Sequence, residues 1–181
     1  MKRTMSSDSL SSKTSNDLTK LYQAFDTLTK LKDNILTKAA SLTMLLDDSA
    51  MLADEREQKR AYKRISNKIK QTYAIVSDAY GFAESVTKIL TTYFTTPDHT
   101  TTFSVEMRGV KIDKDSIIMA IIGLFMDLNQ LTDELSITVD DYKNVIESQY
   151  VGAIEQYISM LEDFRSAFVR FGEIATNILP S

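Results

Sequence analysis

Residues 146–178 carry an apolar repeat with spacings that alternate between four and three: Ile146, Tyr150, Ala153, Tyr157, Met160, Phe164, Ala167, Phe171, Ile174 and Ile178. A period of about 3.5 residues keeps one stripe of a long helix against one neighbour, which is the coiled-coil pattern. The repeat appears twice more, from Leu18 to Leu46 and from Tyr62 to Tyr93. Helix packed lengthwise on helix is therefore the organising principle. Only 5 Gly and 2 Pro interrupt the 181 residues, which favours long helices.

The expected fold is all-α: an antiparallel long-helix bundle or coiled coil of about four helices, with a small β-hairpin near residues 102–113. Residues 1–15 hold six Ser and two Thr without periodicity, and read as a disordered tail preceding a single domain over 16–181. The first helix is expected to start at Ser15 or Asn16 and to end near Leu46, with Asp47, Asp48 and Ser49 as the break and cap. Lys32 falls in its seam and is expected to snorkel at an edge. The second helix should run to about Phe94 and stop before Pro97, because a residue preceding proline is disfavoured in helical geometry. Its seam is narrow and charged around before Tyr73 and broad after it, so residues about 30–70 read as a projecting helical hairpin arm.

Residues 103–112 change period. Phe103, Val105 and Met107 alternate with polar residues, Arg108-Gly109 follows, and Val110 and Ile112 flank Lys111. A two-residue turn would put all five apolar residues on one face, and Gly109 takes positive φ without strain. The third helix is expected from about Lys114 to Leu135, capped by Asp113 or Asp115. Its start, Ile117 to Met126, is apolar all round and is expected to fill the interior. Thr138 and Asp141 resemble a capping box that would open the fourth helix.

Catalytic chemistry needs convergent titratable groups, and few are present. Cys is absent, which excludes disulfides, thiolate metal sites and cysteine nucleophiles. His99 stands alone beside Asp98 in a Thr-rich stretch. Adjacent acids at Asp47-Asp48 and Asp140-Asp141 are explained by capping, and Asp133-Glu134 by an ordinary solvated surface. No phosphate-cradling loop or hydrolase motif occurs. The expectation is a non-enzymatic protein without cofactor or metal.

Two features point to partners. Arg60, Arg64 and Lys68 form one ridge of a basic run that spans residues 59–70. The apolar hairpin residues Phe103, Val105, Met107, Val110 and Ile112, with the apolar start of the third helix, form the other candidate surface. The function expected is a helical interaction or scaffold protein acting through coiled-coil seams, with protein partners that include a second copy of the chain. A different class, a membrane-perturbing helical toxin or effector deploying residues 103–126, is the alternative, and nucleic-acid or acidic-partner binding through the basic ridge is a third. No uninterrupted apolar run approaches the roughly 20 residues of a membrane span. A polar start without an apolar core region implies a cytoplasmic protein or one exported without a cleaved Sec signal.

Overall fold

The computed structural model describes residues 2–95, 105–107 and 110–180. They form an all-α, antiparallel bundle of four helices: α1 (Lys2–Leu52), α2 (Arg56–Thr95), α3 (Lys114–Tyr142) and α4 (Ser148–Ile178). Between α2 and α3 the backbone of β1 (Val105–Met107) pairs antiparallel with β2 (Val110–Ile112). Three residues per strand make no layer of their own, and the architecture stays helical.

Contacts between helices define the topology. Tyr22 bonds Thr91 and Thr29 bonds Tyr80, so α1 and α2 run antiparallel. Phe25 lies against Phe171 while Ser49 bonds Tyr150, which makes α4 antiparallel to α1. Lys68 reaches Glu134 and Arg64 reaches Tyr142, which sets α3 antiparallel to α2. The helices therefore form an up-down-up-down square in which α1 and α3 occupy one diagonal and α2 and α4 the other.

The core is the set of stripes read from sequence, with one rotation. In α1 the seam from Leu18 to Leu46 is buried except for Phe25, which is half-buried and stacks on Tyr80 at 5.2 Å. In α2 the seam from Tyr62 to Leu90 is buried throughout. In α4, Tyr157, Phe164 and Phe171 are fully buried as expected. Their alternating partners are Ile154, Leu161, Phe168 and Ala175, whereas Ala153, Met160, Ala167 and Ile174 are only half-buried. The stripe is turned by one residue because α4 faces α1, α3 and the diagonal α2 together, and the aromatic at 168 fills more interior than the alanine at 167. Lys32 lays its stem along the seam edge and places Nζ 2.8 Å from Asp33 and 4.3 Å from the Tyr80 ring centre, the expected snorkel.

Three expected boundaries are corrected. The helical backbone of α1 begins at Lys2, ahead of the expected cap at Ser15 or Asn16, and Ser15 offers its carbonyl to Thr19 inside the helix. The break after α1 falls at residues 53–55 instead of 47–49, because Ala50 continues the buried seam one turn further. Asp47 is spent on a cross-helix contact: it accepts from Ser66 Oγ at 2.6 Å and pairs with Lys70 at 3.1 Å. These two donors, Ser66 first, hold its carboxyl below the usual range. The Thr138–Asp141 box does not open α4. Val139 is buried in α3, Thr138 Oγ1 donates to Glu134 within α3, and α4 begins after Glu147.

At the closed end of the α1–α2 hairpin the first turn of α4 packs across both helices. Tyr150 packs edge-on against Tyr62 at 5.7 Å and takes a hydrogen bond from Ser49. Helix α3 does not fill the interior. Its buried residues, Ile117, Ile121, Leu128, Thr132, Leu135 and Val139, form one stripe, and Met119, Ile122 and Met126 point outward. A helix at a corner of a square has two close neighbours, so an all-apolar turn cannot be buried all round. Pro97 lies outside the described residues.

The buried centre contains one polar link that tests the packing. Thr72 Oγ1 donates its single proton to the Ile69 carbonyl at 2.7 Å, so the Tyr157 hydroxyl donates to Thr72 at 2.9 Å. Burial pushes the Tyr157 hydroxyl up to about 12 from 10.0, against the opposing pull of Thr72. Because the folded pKa lies above the unfolded one, this stabilisation is complete below pH 10 and is lost as pH rises toward 12. Tyr157→Phe should cost about 1 kcal/mol near neutrality. It should also remove an alkaline loss of about 3 kcal/mol, the two-unit shift at 1.36 kcal/mol each. Denaturant unfolding of both proteins across that window checks the difference.

Candidate partner-binding surface

The basic ridge is partly occupied by the bundle itself. Lys68 is half-buried and pairs with Glu134 at 3.0 Å, and this contact, assisted by Gln130, holds the Glu134 carboxyl below its ordinary value. Arg64 donates to the Tyr142 hydroxyl at 3.1 Å. Arg60 is exposed and takes part in none of these cross-helix contacts. The ridge read from sequence as one surface is thus a row in which two of three residues tie α2 to α3. Of the hairpin candidates, Val105, Met107, Val110 and Ile112 belong to the paired strands, in register Val105↔Ile112 and Met107↔Val110. Phe103 and the Arg108-Gly109 turn lie outside the described residues, as does His99.

Another open surface is the outer face of α3, which sequence reasoning assigned to the interior. Met119 is 66% exposed, Met126 62% and Ile122 46%. Of the described helices, α3 is long and apolar enough to cross a membrane by length and composition, and only 17% of that stretch is buried. The expectation of no such helix came from counting uninterrupted apolar residues, while this window tolerates scattered polar ones. A core helix of that composition would be mostly covered.

Beside this face runs a groove of about 480 Å³ between α3 and α4. Ile118, Ile122 and Phe125 form its α3 wall, and Val169, Glu173 and Thr176 its α4 wall. Gly172 sets the depth. A Cβ there would lie 2.8 Å from Ile121 Cγ2, so only glycine lets the two helices approach this closely. Further along the same junction Arg165 donates to Asn129 Oδ1. A smaller groove of about 260 Å³ lies between α1 and α2 beside Tyr73 and Lys70. A second exposed apolar group, Met44, Leu45, Met51 and Leu52, sits at the C-terminal end of α1.

Among the described residues no three Asp, Glu or His side chains converge as a metal site. The strongly shifted hydroxyl, Tyr157, is sealed in the core. What the fold and surface define is a self-contained four-helix bundle that displays an uncovered apolar helix face. Comparison of the chain with protein-family models, curated proteins and solved structures finds no match.

The close approach that shapes the groove gives a paired prediction. Gly172→Ala should destabilise the bundle by about 1–3 kcal/mol, because Ile121 must shift within a packed junction. Gly123→Ala, where a Cβ meets nothing within 4 Å, should instead stabilise it by roughly 0.5–1 kcal/mol through helix propensity. Thermal or denaturant unfolding of the two variants reads opposite signs.

Proposed function

We propose that this chain is a non-enzymatic interaction protein: a rigid helical scaffold that presents the outer face of α3 to a partner. The observation that carries this reading is the exposure of Met119, Ile122 and Met126 beside an open groove, in a bundle whose seams are otherwise buried. Contiguous exposed apolar surface is costly in solution and marks binding sites. Methionine suits such a face because its flexible, polarisable side chain adapts to a partner. The 4-3 seams serve the chain's own bundle and are not available to a second copy, so intermolecular binding falls to surfaces outside them. The β1–β2 register places positions 105, 107, 110 and 112 on one side of the ladder.

A membrane-perturbing role draws on one specific observation, the composition and shallow burial of α3. It requires α3 to leave α2 and α4, and so to give up Ile117, Ile121, Leu128 and Leu135 from the core. Dye leakage from zwitterionic and anionic vesicles decides this alternative, and leakage that Met119→Lys abolishes would favour it over the scaffold reading. Nucleic-acid binding is the weaker third reading, since Lys68 and Arg64 are engaged with α3.

Residues kept apolar for a partner contribute little to the fold of the free chain. The triple variant Met119→Lys, Ile122→Lys, Met126→Lys should unfold cooperatively, with a midpoint within about 2–4 °C of the parent, the shift expected for roughly 1 kcal/mol in a domain of this size. Circular dichroism melting provides the check. A triple variant that loses cooperative unfolding would show these side chains to be structural, and the proposal would fall with it.

A further inference from the structure

Charge divides this molecule along the bundle. Residues 2–95 hold 15 Lys and Arg against 11 Asp and Glu, a net of +4, while residues 114–178 hold 4 against 11, a net of −7. The negative charge of the second half is not spread evenly around its two helices. Along α3, Asp115, Asp133 and Asp140 recur at helical spacing on the side that carries Ile122 and Met126: Asp115 is two turns before Ile122, Asp133 two turns after Met126, and Asp140 two turns further. On α4, Glu162 lies two turns before the groove residue Val169, Glu155 two turns before that, and Glu173 one turn after it. All six carboxylates are exposed, and none forms an ion pair with another described residue. The four bases of this half are Lys114, Lys143, Arg165 and Arg170; none of them forms an ion pair with another described residue, and the Arg165 guanidinium is turned to Asn129.

We infer that the outer face of α3 and α4 is a docking site for a cationic amphipathic helix on another protein, a conclusion that rests on the interaction reading above and gives its partner a chemistry. The apolar strip of Met119, Ile122 and Met126, with the groove beside it, receives the apolar side of such a helix. The α4 acids lie along the far side of the groove, and Asp115, Asp133 and Asp140 continue the line of Ile122 and Met126 beyond both its ends, so the face is acidic around its apolar part and complements a cationic helix. From Asp115 to Asp140 the face runs for about 38 Å, enough for a helix of roughly 25 residues. A second copy of this chain does not complement it. Its own α3 face would set acid against acid, and its other exposed apolar group, at Met44 and Met51, has Asp48 between them. The exposed bases of α2, Lys59, Arg60 and Lys63, stand on a helix whose apolar stripe is already buried. An anionic membrane is repelled by the same carboxylates.

The test uses the full chain and three fluorescent peptides of about 20 residues: a Leu–Lys helix with segregated faces, the same composition scrambled, and a Leu–Glu helix of the same pattern. The amphipathic Leu–Lys peptide should bind at least about tenfold more tightly than either of the others. Glu162→Lys with Glu173→Lys should weaken it by about tenfold, as should Met119→Ser with Ile122→Ser, a preference for amphipathicity and charge together. Equal affinity for the scrambled peptide would reduce the effect to diffuse attraction and overturn the proposal. So would unchanged binding by the two charge reversals, or binding of zwitterionic vesicles in preference to the Leu–Lys peptide. The interaction reading and this inference fail separately. If the triple lysine variant of α3 folds normally and the Leu–Lys peptide does not bind, only the inference is lost; if that variant unfolds, the reading beneath it is lost as well.

Discussion

The interlock of α4 with the other three helices is the constraint on which everything else depends. Tyr157, Phe164, Phe168 and Phe171 are among the largest fully buried side chains of the molecule, and they project from a single helix into the centre of the square. Phe171 meets Phe25 of α1, Tyr157 meets Thr72 of the diagonal α2, and Gly172 admits Ile121 of α3. Burying large aromatics contributes the largest share of apolar area per residue, so α4 acts as the wedge around which the other three helices are fixed. The geometry of the outer face follows from that wedge. Because Gly172 draws α3 close at one edge, α3 is held at a corner, with one stripe inward and the other out.

That corner position reconciles two facts that otherwise conflict. An apolar helix in water is usually covered, yet α3 offers Met119, Ile122 and Met126 to solvent. The exposure is not a defect of packing, since Ile117, Leu128 and Leu135 on the opposite side are almost completely buried and Ile121 joins them in the core. The helix is two-sided in its apolar character but has neighbours on one side only. The surplus lies beside a groove, with acidic side chains beyond both its ends on α3 and along the far side of the groove on α4. The bundle can supply that patch without rearranging, whereas a membrane role would have to dismantle the inner stripe first.

Much of this was legible in the chain, for physical reasons that differ by element. The seam of α2 was readable residue by residue from Tyr62 to Leu90, because a periodic stripe on a long uninterrupted helix leaves little choice of face. The aromatics of α4 were readable for the same cause, but the stripe's second row was not. Choosing Ile154 over Ala153 and Phe168 over Ala167 depends on how many neighbours surround the helix. Boundaries were less accessible. Asp47-Asp48 has the composition of a break, yet Ser66 and Lys70 across the hairpin give Asp47 a reason to sit inside a helix. Thr138 and Asp141 have the spacing of a cap, but Val139 between them is needed in the core. In both places a tertiary contact overrode a local signal, and such contacts join residues far apart in sequence. Lys68 with Glu134 shows the same effect at the candidate site: charges that look free along one helix are paired by the next.

The face of α3 was misjudged for a related reason, and the error is informative. Ten apolar residues in a row carry no periodicity, so sequence alone cannot say which of them a fold will cover. Composition favoured the interior; the square of helices decided otherwise. A periodic signal was nevertheless present on this face, in the charges and not in the apolar residues. Asp115, Asp133 and Asp140 on α3 keep helical spacing in line with Ile122 and Met126, and Glu155, Glu162 and Glu173 on α4 keep it in line with the groove residue Val169, so both helices mark the outward face with acids. Solvated carboxylates need no such alignment for solubility, which any scatter of charge would provide. Their alignment along one edge of each helix, with bases largely kept to α1 and α2, polarises the bundle across its width. A polarised surface with an apolar centre selects partners by sign before it selects them by shape.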